Sequence, residues 1–268
     1  MPDETPQNPE NPENEVLVDH RDDGVVLVTL NRPKMNALSL GLLGELADCL
    51  TGISKEKPGA LVIWGGERIF AAGADVKEFS GSEVGAKVSE SFKKVTDLLR
   101  NLSCVTIAAI TGYALGGGLE LAMGCDLRIA SRSAKVGQPE ILLGIIPGGG
   151  GTQRLSRLVG QSRAKDLCMT GRQITAEEAL NWGLVDRVVE RESVLDEALA
   201  LAAGFAKGPL MAIAAVKRAI DQGLDSTLEE GLLIERDEFS SLFSTDDARL
   251  GMQSFIENGP GKATFVGH

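Results

Sequence analysis

The chain has 268 residues, with 27 basic against 38 acidic side chains and a net charge of −11. That length carries one sizeable α/β domain, or one domain with a small appendage. The acidic balance, with no basic run, argues against a nucleic-acid or anionic-membrane surface. With only His20 and His268 present, a Ser-His-Asp triad, a Cys-His pair and a histidine-rich metal site are disfavoured too. Carboxylates and backbone dipoles are left to carry any chemistry.

Residues 1–14 hold Pro2, Pro6, Pro9 and Pro12 among acids and almost no apolar side chains, so they read as a disordered acidic tail. A secretory signal would need a basic and then an apolar segment there. Cys49, Cys104, Cys125 and Cys168 form no Cys-x-x-Cys pair. They read as free core thiols in a reducing compartment, which makes a cytoplasmic location the expectation.

Ordered structure is expected from Val16, with β-branched residues on both sides of the Asp22-Asp23-Gly24 turn signalling a hairpin. Ser39 is a good N-cap for a helix on which Leu42, Leu43, Leu46 and Leu50 recur at helical spacing. Ala60 to Trp64 then reads as a strand, Glu83 to Arg100 as a helix and Val105 to Ile110 as a strand. Gly118 to Met123 reads as a short helix and Leu127 to Ala130 as another strand. The apolar run from Cys104 to Cys125 is broken by Glu120 and the glycines Gly112, Gly116, Gly117 and Gly118, which argues against a lipid-spanning helix. Beyond Pro147 the strand signals fade. Helices are expected at Thr152 to Val159, Arg163 to Met169, Ala176 to Trp182, Val194 to Ala206, Leu210 to Gln222 and Thr227 to Phe243. Strands and helices alternate as in stacked α/β layers, and the apolar faces of the last third must be covered by the core or by another subunit.

Three segments between strands and helices can carry chemistry. Ile69 to Phe79 contains Ala71, Ala72, Gly73 and Ala74, small residues that let a ligand approach the backbone, with the Ala74 N–H available to a substrate oxygen. In Gly112 to Glu120, three glycines at a helix start expose N–H groups at a positive dipole end. That environment suits a developing oxyanion, and the spacing is neither a Rossmann fingerprint nor a Walker loop. Glu120 follows among Leu119, Leu121, Ala122 and Met123, an apolar setting that raises a carboxyl pKa toward neutral pH. The third segment, Gly137 to Gly144, places Glu140 before an apolar run. Alone, each segment also fits an ordinary tight turn or helix start. Together, Glu120 and Glu140 are a candidate pair for holding one water and moving its protons. The glycine-rich stretch from Pro147 to Gly151 fits tight packing beneath the site better than phosphate binding.

With these segments in this order, the chain resembles the crotonase (enoyl-CoA hydratase/isomerase) family from about Val16 to Phe265. The matches are Asn31-Arg32-Pro33 with Asn36-Ala37-Leu38, Phe70 to Glu78, Gly112 to Glu120, Gln138 to Gly144, and Pro147 to Leu155. The resemblance implies an α/β fold, a crotonase-like spiral of ββα repeats over 15–200. A C-terminal α-helical region would follow over 201–268 and assemble the chain into a trimer or a dimer of trimers. It further implies hydration of a 2-enoyl-CoA thioester, with no cofactor or metal beyond the CoA of the substrate. The N–H groups of Ala74 and Gly117 would polarise the thioester carbonyl. Glu120 would activate water for attack at C3, and Glu140 would deliver a proton to C2. Family contacts to the CoA and pantetheine arm map to Ala37, Ala72, Asp75, Val76 and Lys77.

The rival within catalysis is a double-bond isomerase on the same scaffold, which can work with one acid. A rival of another class is a non-catalytic crotonase-like protein binding acyl-CoA or RNA. Two glutamates at the hydratase positions favour hydration, and the charge of −11 counts against RNA. Acyl chain length and pathway, β-oxidation of fatty acids among them, are not legible. The helix after Phe79 that would line the distal pocket is the least patterned.

Overall fold

The computed structural model describes residues 14–79 and 81–268; the acidic tail, apart from Asn14, lies outside these residues. A hairpin opens the fold. Strand β1 (Val16–His20) pairs antiparallel with β2 (Val25–Leu30), Val16 standing opposite Leu30. Helix α1 (Leu40–Glu56) starts where the Ser39 hydroxyl accepts the Leu42 N–H at 3.1 Å. It buries Leu42, Leu43, Leu46, Leu50 and Ile53 along one stripe. Strand β3 (Ala60–Trp64), helix α2 (Ser82–Asn101), strand β4 (Val105–Ile110) and the short β5 (Tyr113–Leu115) follow. Then come helix α3 (Gly117–Met123), β6 (Leu127–Ser131), β7 (Lys135–Gly137) and a 3-10 turn at Pro139–Leu143.

The main sheet has the order β1-β2-β3-β4-β6-β9, where β9 is Arg187–Val189, and every pairing after the hairpin is parallel. Parallel strands covered on both faces read as continuous apolar runs, because alternate side chains enter different cores. Leu61, Ile63, Ala108 and Ile110 join α1 and α2 in the larger core. Val62, Val105, Ile107 and Ala109 pack against Val194, Ala198 and Ala202 of α7 (Val194–Ala206). A second, three-stranded sheet, β5-β7-β8, is completed by β8 (Gln173–Thr175) and extended by a bridge from Ala71 to Ala114. Each spiral turn thus runs from a long strand through a short pairing in the second layer to a helix. The α/β expectation holds.

Helices α4 (Gly151–Val159), α5 (Gln161–Thr170), α6 (Ala176–Trp182), α8 (Leu210–Leu224) and α9 (Leu228–Leu242) stand where the periodicity places them, within one to two residues. Three departures from the sequence expectations have physical causes. Strands β8 and β9 lie beyond Pro147 but have three residues each, too short to show an alternation. Helix α10 (Asp246–Asn258), capped by the Thr245 hydroxyl, continues past Phe243. And α7 packs on the sheet as one unbroken helix that runs across position 200, where the sequence reading divides the core from the C-terminal region. Cys104 and Cys125 are buried, Cys49 and Cys168 half-buried, and all four are free thiols. Among the described residues no single helix is long and apolar enough to cross a membrane.

Candidate active site

The site is built where the second layer meets the helix starts. Arg32 fixes the segment carrying Ala74. Its Nε donates to Glu15 at 2.8 Å, Nη1 to the Ala37 carbonyl at 2.9 Å and Nη2 to Asp75 at 2.7 Å. Buried Asn36 donates to the carbonyls of Gly65 and Phe70 at 2.7 and 3.0 Å. Leu38 then clasps the same segment, donating to the Gly73 carbonyl and accepting from the Asp75 N–H. Held this way, Ala74 runs beside the start of α3. A Cβ added at Gly117 would stand 3.1 Å from the Ala74 nitrogen. Among the described residues neither the Ala74 N–H nor the Gly117 N–H donates to a protein acceptor. Both residues line the same cavity, whose volume is about 840 Å³.

Glu120 lies in the first turn of α3 and is 2 % exposed. Its Oε1 accepts the N–H groups of Gly149 and Gly151 at 2.8 and 2.7 Å. Burial raises its pKa, while those two donors and the charge of Arg154 pull in the opposite direction. Glu140 enters from the 3-10 turn, and burial followed by the neighbouring charge of Glu120 pushes its pKa up to about 7 against the single opposing backbone hydrogen bond. Fully buried Gln138 sets one end of its side-chain amide against both Glu140 carboxyl oxygens, at 2.9 and 3.1 Å. Gly116, at φ +51°, is the residue that lets Glu140 in: a Cβ there would lie 2.9 Å from Oε1.

The raised Glu140 pKa has a stability consequence. A carboxyl that prefers its proton in the folded state contributes stability below the unfolded pKa near 4.5 and loses it as pH rises to about 7. Glu140→Gln cannot ionise, so its melting temperature relative to the wild type should climb across that window and stay level above it. Calorimetry at a series of pH values measures the gap. A gap that does not vary with pH would mean that Glu140 titrates as an ordinary carboxyl.

Of the residues singled out in the sequence, Ala72, Ala74, Val76, Gly117, Glu120 and Glu140 line this one cavity. Asp75, Ala37 and Lys77 do not. Asp75 faces Arg32, whose hydrogen bond and charge hold its pKa below the usual range in spite of the opposing effect of burial. The Ala37 carbonyl accepts from Arg32, and the Lys77 N–H donates to Asp75. Four residues not singled out complete the site: Gln138, Gly149, Gly151 and Arg154. The stretch from Pro147 to Gly151 is packed tightly, as expected, but it also supplies both donors to Glu120. The signal was the glycines themselves, since a Cβ at Gly149 would stand 2.7 Å from Glu120 Oε2. The outer wall is apolar, formed by Phe79, Val88, Phe92, Leu142, Leu143, Ile145 and Ile146. Among the described residues no three His, Cys, Asp or Glu side chains converge as metal ligands.

A family model described as enoyl-CoA hydratase/isomerase matches residues 20–265. A probable enoyl-CoA hydratase of Rhizobium meliloti is 46% identical over 244 residues, covering 90% of this chain and 95% of that one. The short-chain-enoyl-CoA hydratase of Clostridium acetobutylicum is 41% identical over 249 residues, with coverage of 91% and 95%. The crystal structure of an enoyl-CoA hydratase from Bacillus anthracis superposes with a TM-score of 0.89 at 39% identity, covering 95% of this chain and 100% of that one. The spiral fold, the matched motifs and these likenesses together place the chain in the enoyl-CoA hydratase/isomerase family.

Proposed function

We propose that this chain adds water across the double bond of a 2-enoyl-CoA thioester to give the 3-hydroxyacyl-CoA. The observation that carries the reading is the convergence on one apolar cavity of two carboxyl groups, Glu120 and Glu140, and of Ala74 and Gly117, whose N–H groups have no protein acceptor among the described residues. The two N–H groups receive the thioester oxygen, where charge accumulates as C3 is attacked. A water held between the carboxyls gives one proton to Glu120 while its oxygen bonds to C3. The electron pair of the double bond passes to the thioester as an enolate. Glu140 then gives its proton to C2 and the enolate collapses. Proton exchange between the two acids restores the starting state. The two N–H donors on Glu120 favour its carboxylate, and a Glu140 pKa near 7 keeps a proton available. The reaction draws on no cofactor beyond the CoA of its substrate, and a cytoplasmic location suits it.

The test is the loss of enoyl absorbance from crotonyl-CoA and from longer 2-enoyl-CoA esters, in parallel with 3-enoyl-CoA isomerisation. Hydration of at least one ester supports the reading, and the chain-length profile names the acyl class. A chain that only moves the double bond is an isomerase, and one that binds acyl-CoA without turnover is a scaffold.

We also propose a homotrimer or a dimer of trimers, assembled through the C-terminal helices. Leu224, Leu228, Phe239, Phe255 and Ile256 of α8, α9 and α10 are all more than half exposed on the single chain, an apolar area that a soluble surface does not leave open. Light scattering should return three or six chain masses. Phe255→Asp combined with Ile256→Asp should give a smaller species, and an unchanged mass would place the interface elsewhere.

A further inference from the structure

Both backbone donors to Glu120 belong to peptide groups whose opposite ends are themselves hydrogen-bonded. The Gly151 N–H is part of the peptide whose carbonyl, on Gly150, accepts from Arg154 N at 2.8 Å and Gln153 N at 3.0 Å, the first turn of α4. The Gly149 N–H is part of the peptide whose carbonyl is on Gly148, and that oxygen accepts from the hydroxyl of Ser89 on α2 at 2.7 Å. A trans peptide is planar and conjugated, with its C=O and N–H pointing in opposite directions. A donor at the oxygen therefore draws electron density through the C–N bond and makes the N–H the stronger donor, the cooperativity expected of hydrogen-bond chains. A helix turn does this for one peptide. A single side chain does it for the other.

We propose that Ser89 is a positioning residue of the hydration reaction, acting through the Gly148–Gly149 peptide to hold Glu120 in place as a carboxylate that accepts the proton of water. The inference rests on the hydratase reading of this site. Ser89 lies on the cavity wall between Val88 and Phe92, so the same helix that bounds the acyl pocket also reaches the proton acceptor. Gly149 cannot drift from this position without cost. Its Cα is enclosed so closely that an added Cβ would stand 2.7 Å from Glu120 Oε2 and 2.8 Å from the Phe92 ring. The remaining ionisable groups felt by Glu120 are Arg154 of α4, Glu140 of the 3-10 turn and Cys168 of α5. All three stay in place when Ser89 is changed.

The sign follows from the chemistry. A weaker Gly149 N–H stabilises the Glu120 carboxylate less, so its pKa rises. The experiment compares wild type, Ser89→Ala and Ser89→Thr in the pH profile of kcat/KM for crotonyl-CoA. Alongside it runs a 13C NMR titration of the Glu120 carboxyl, assigned by its disappearance in Glu120→Gln. Ser89→Ala should move the acid limb and the NMR midpoint upward by several tenths of a pH unit. It should lower kcat near neutral pH on the order of threefold, with little change in KM. Ser89→Thr, which keeps the hydroxyl, should restore both towards the wild type. A midpoint unmoved in Ser89→Ala, or moved equally in both variants, overturns the proposal. So does a change confined to KM, which would make Ser89 a pocket wall only. If the wild type hydrates no enoyl-CoA the hydratase reading fails by itself, and the NMR titration still decides whether Ser89 tunes Glu120.

Discussion

Glu120→Gln and Glu140→Gln should each lower kcat for crotonyl-CoA hydration by about 10³-fold while KM stays within a few-fold of the wild type. Glutamine is isosteric with glutamate. At position 120 its carbonyl oxygen can still accept the Gly149 and Gly151 N–H groups that meet Oε1, so the fold and the acyl-CoA pocket survive. What is lost is the capacity to take a proton at 120 or to give one at 140. Because both groups act on one water, the double variant should fall little below either single one. The wild type adds a pH signature. Hydration needs Glu140 protonated, so kcat/KM should decline above about pH 7, and that limb should vanish in Glu140→Gln. Initial rates of enoyl absorbance loss measure all of this, with circular dichroism to check folding. A single variant within tenfold of wild type would remove that residue from proton transfer.

How much of this was legible beforehand differs from residue to residue. Glu120 and Glu140 stood out because an acid among apolar residues beside glycines is costly unless it is used. The hairpin followed from its turn residues, α1 from its leucine spacing and the buried strands from unbroken apolar runs, since Leu61 and Val62 enter different cores and both must be apolar. The donors to Glu120 were not legible. Which way the Gly149 and Gly151 N–H groups point is set by the chain's path through Gly150 at φ +105°, and residue type does not encode it. Gln138 enters the sequence reading only as the first residue of the match from Gln138 to Gly144, and the folded chain shows that it is fully buried against Glu140. Asp75 was placed among the substrate contacts by the resemblance. Its partner Arg32 lies 43 residues away in sequence, a distance at which one sequence gives no pairing signal. Three-residue strands such as β8 have a single buried side chain, Ile174, and no period to detect.

Gly117→Ala should cost about 10²- to 10³-fold in kcat, the range expected when one donor to a developing oxyanion is lost. A Cβ at this position would stand 2.5 Å from Phe92 Cζ and 3.1 Å from the Ala74 nitrogen. Phe92 is 1 % exposed, and its ring also abuts the position a Gly149 Cβ would take, so it has little room to withdraw. The strain therefore falls on the Ala74 segment, and the two N–H groups no longer converge on one oxygen. Because the carboxyls are untouched, the pH profile should keep its shape while its height drops, which separates this variant from those at Glu120 and Glu140. The carbonyl stretch of a bound enoyl-CoA gives a second readout: polarisation by the two donors lowers its frequency, and the variant should return it toward the value in water. Gly44→Ala is the control. A Cβ there meets nothing within 4 Å on the exposed face of α1, and alanine in a helix interior adds about 0.5–1 kcal/mol of stability over glycine, so its rate should equal the wild type's. If Gly117→Ala hydrates as fast as Gly44→Ala with an unshifted carbonyl band, the thioester oxygen is held elsewhere, and the Ala74 and Gly117 N–H groups are an unpaired pair with no part in catalysis.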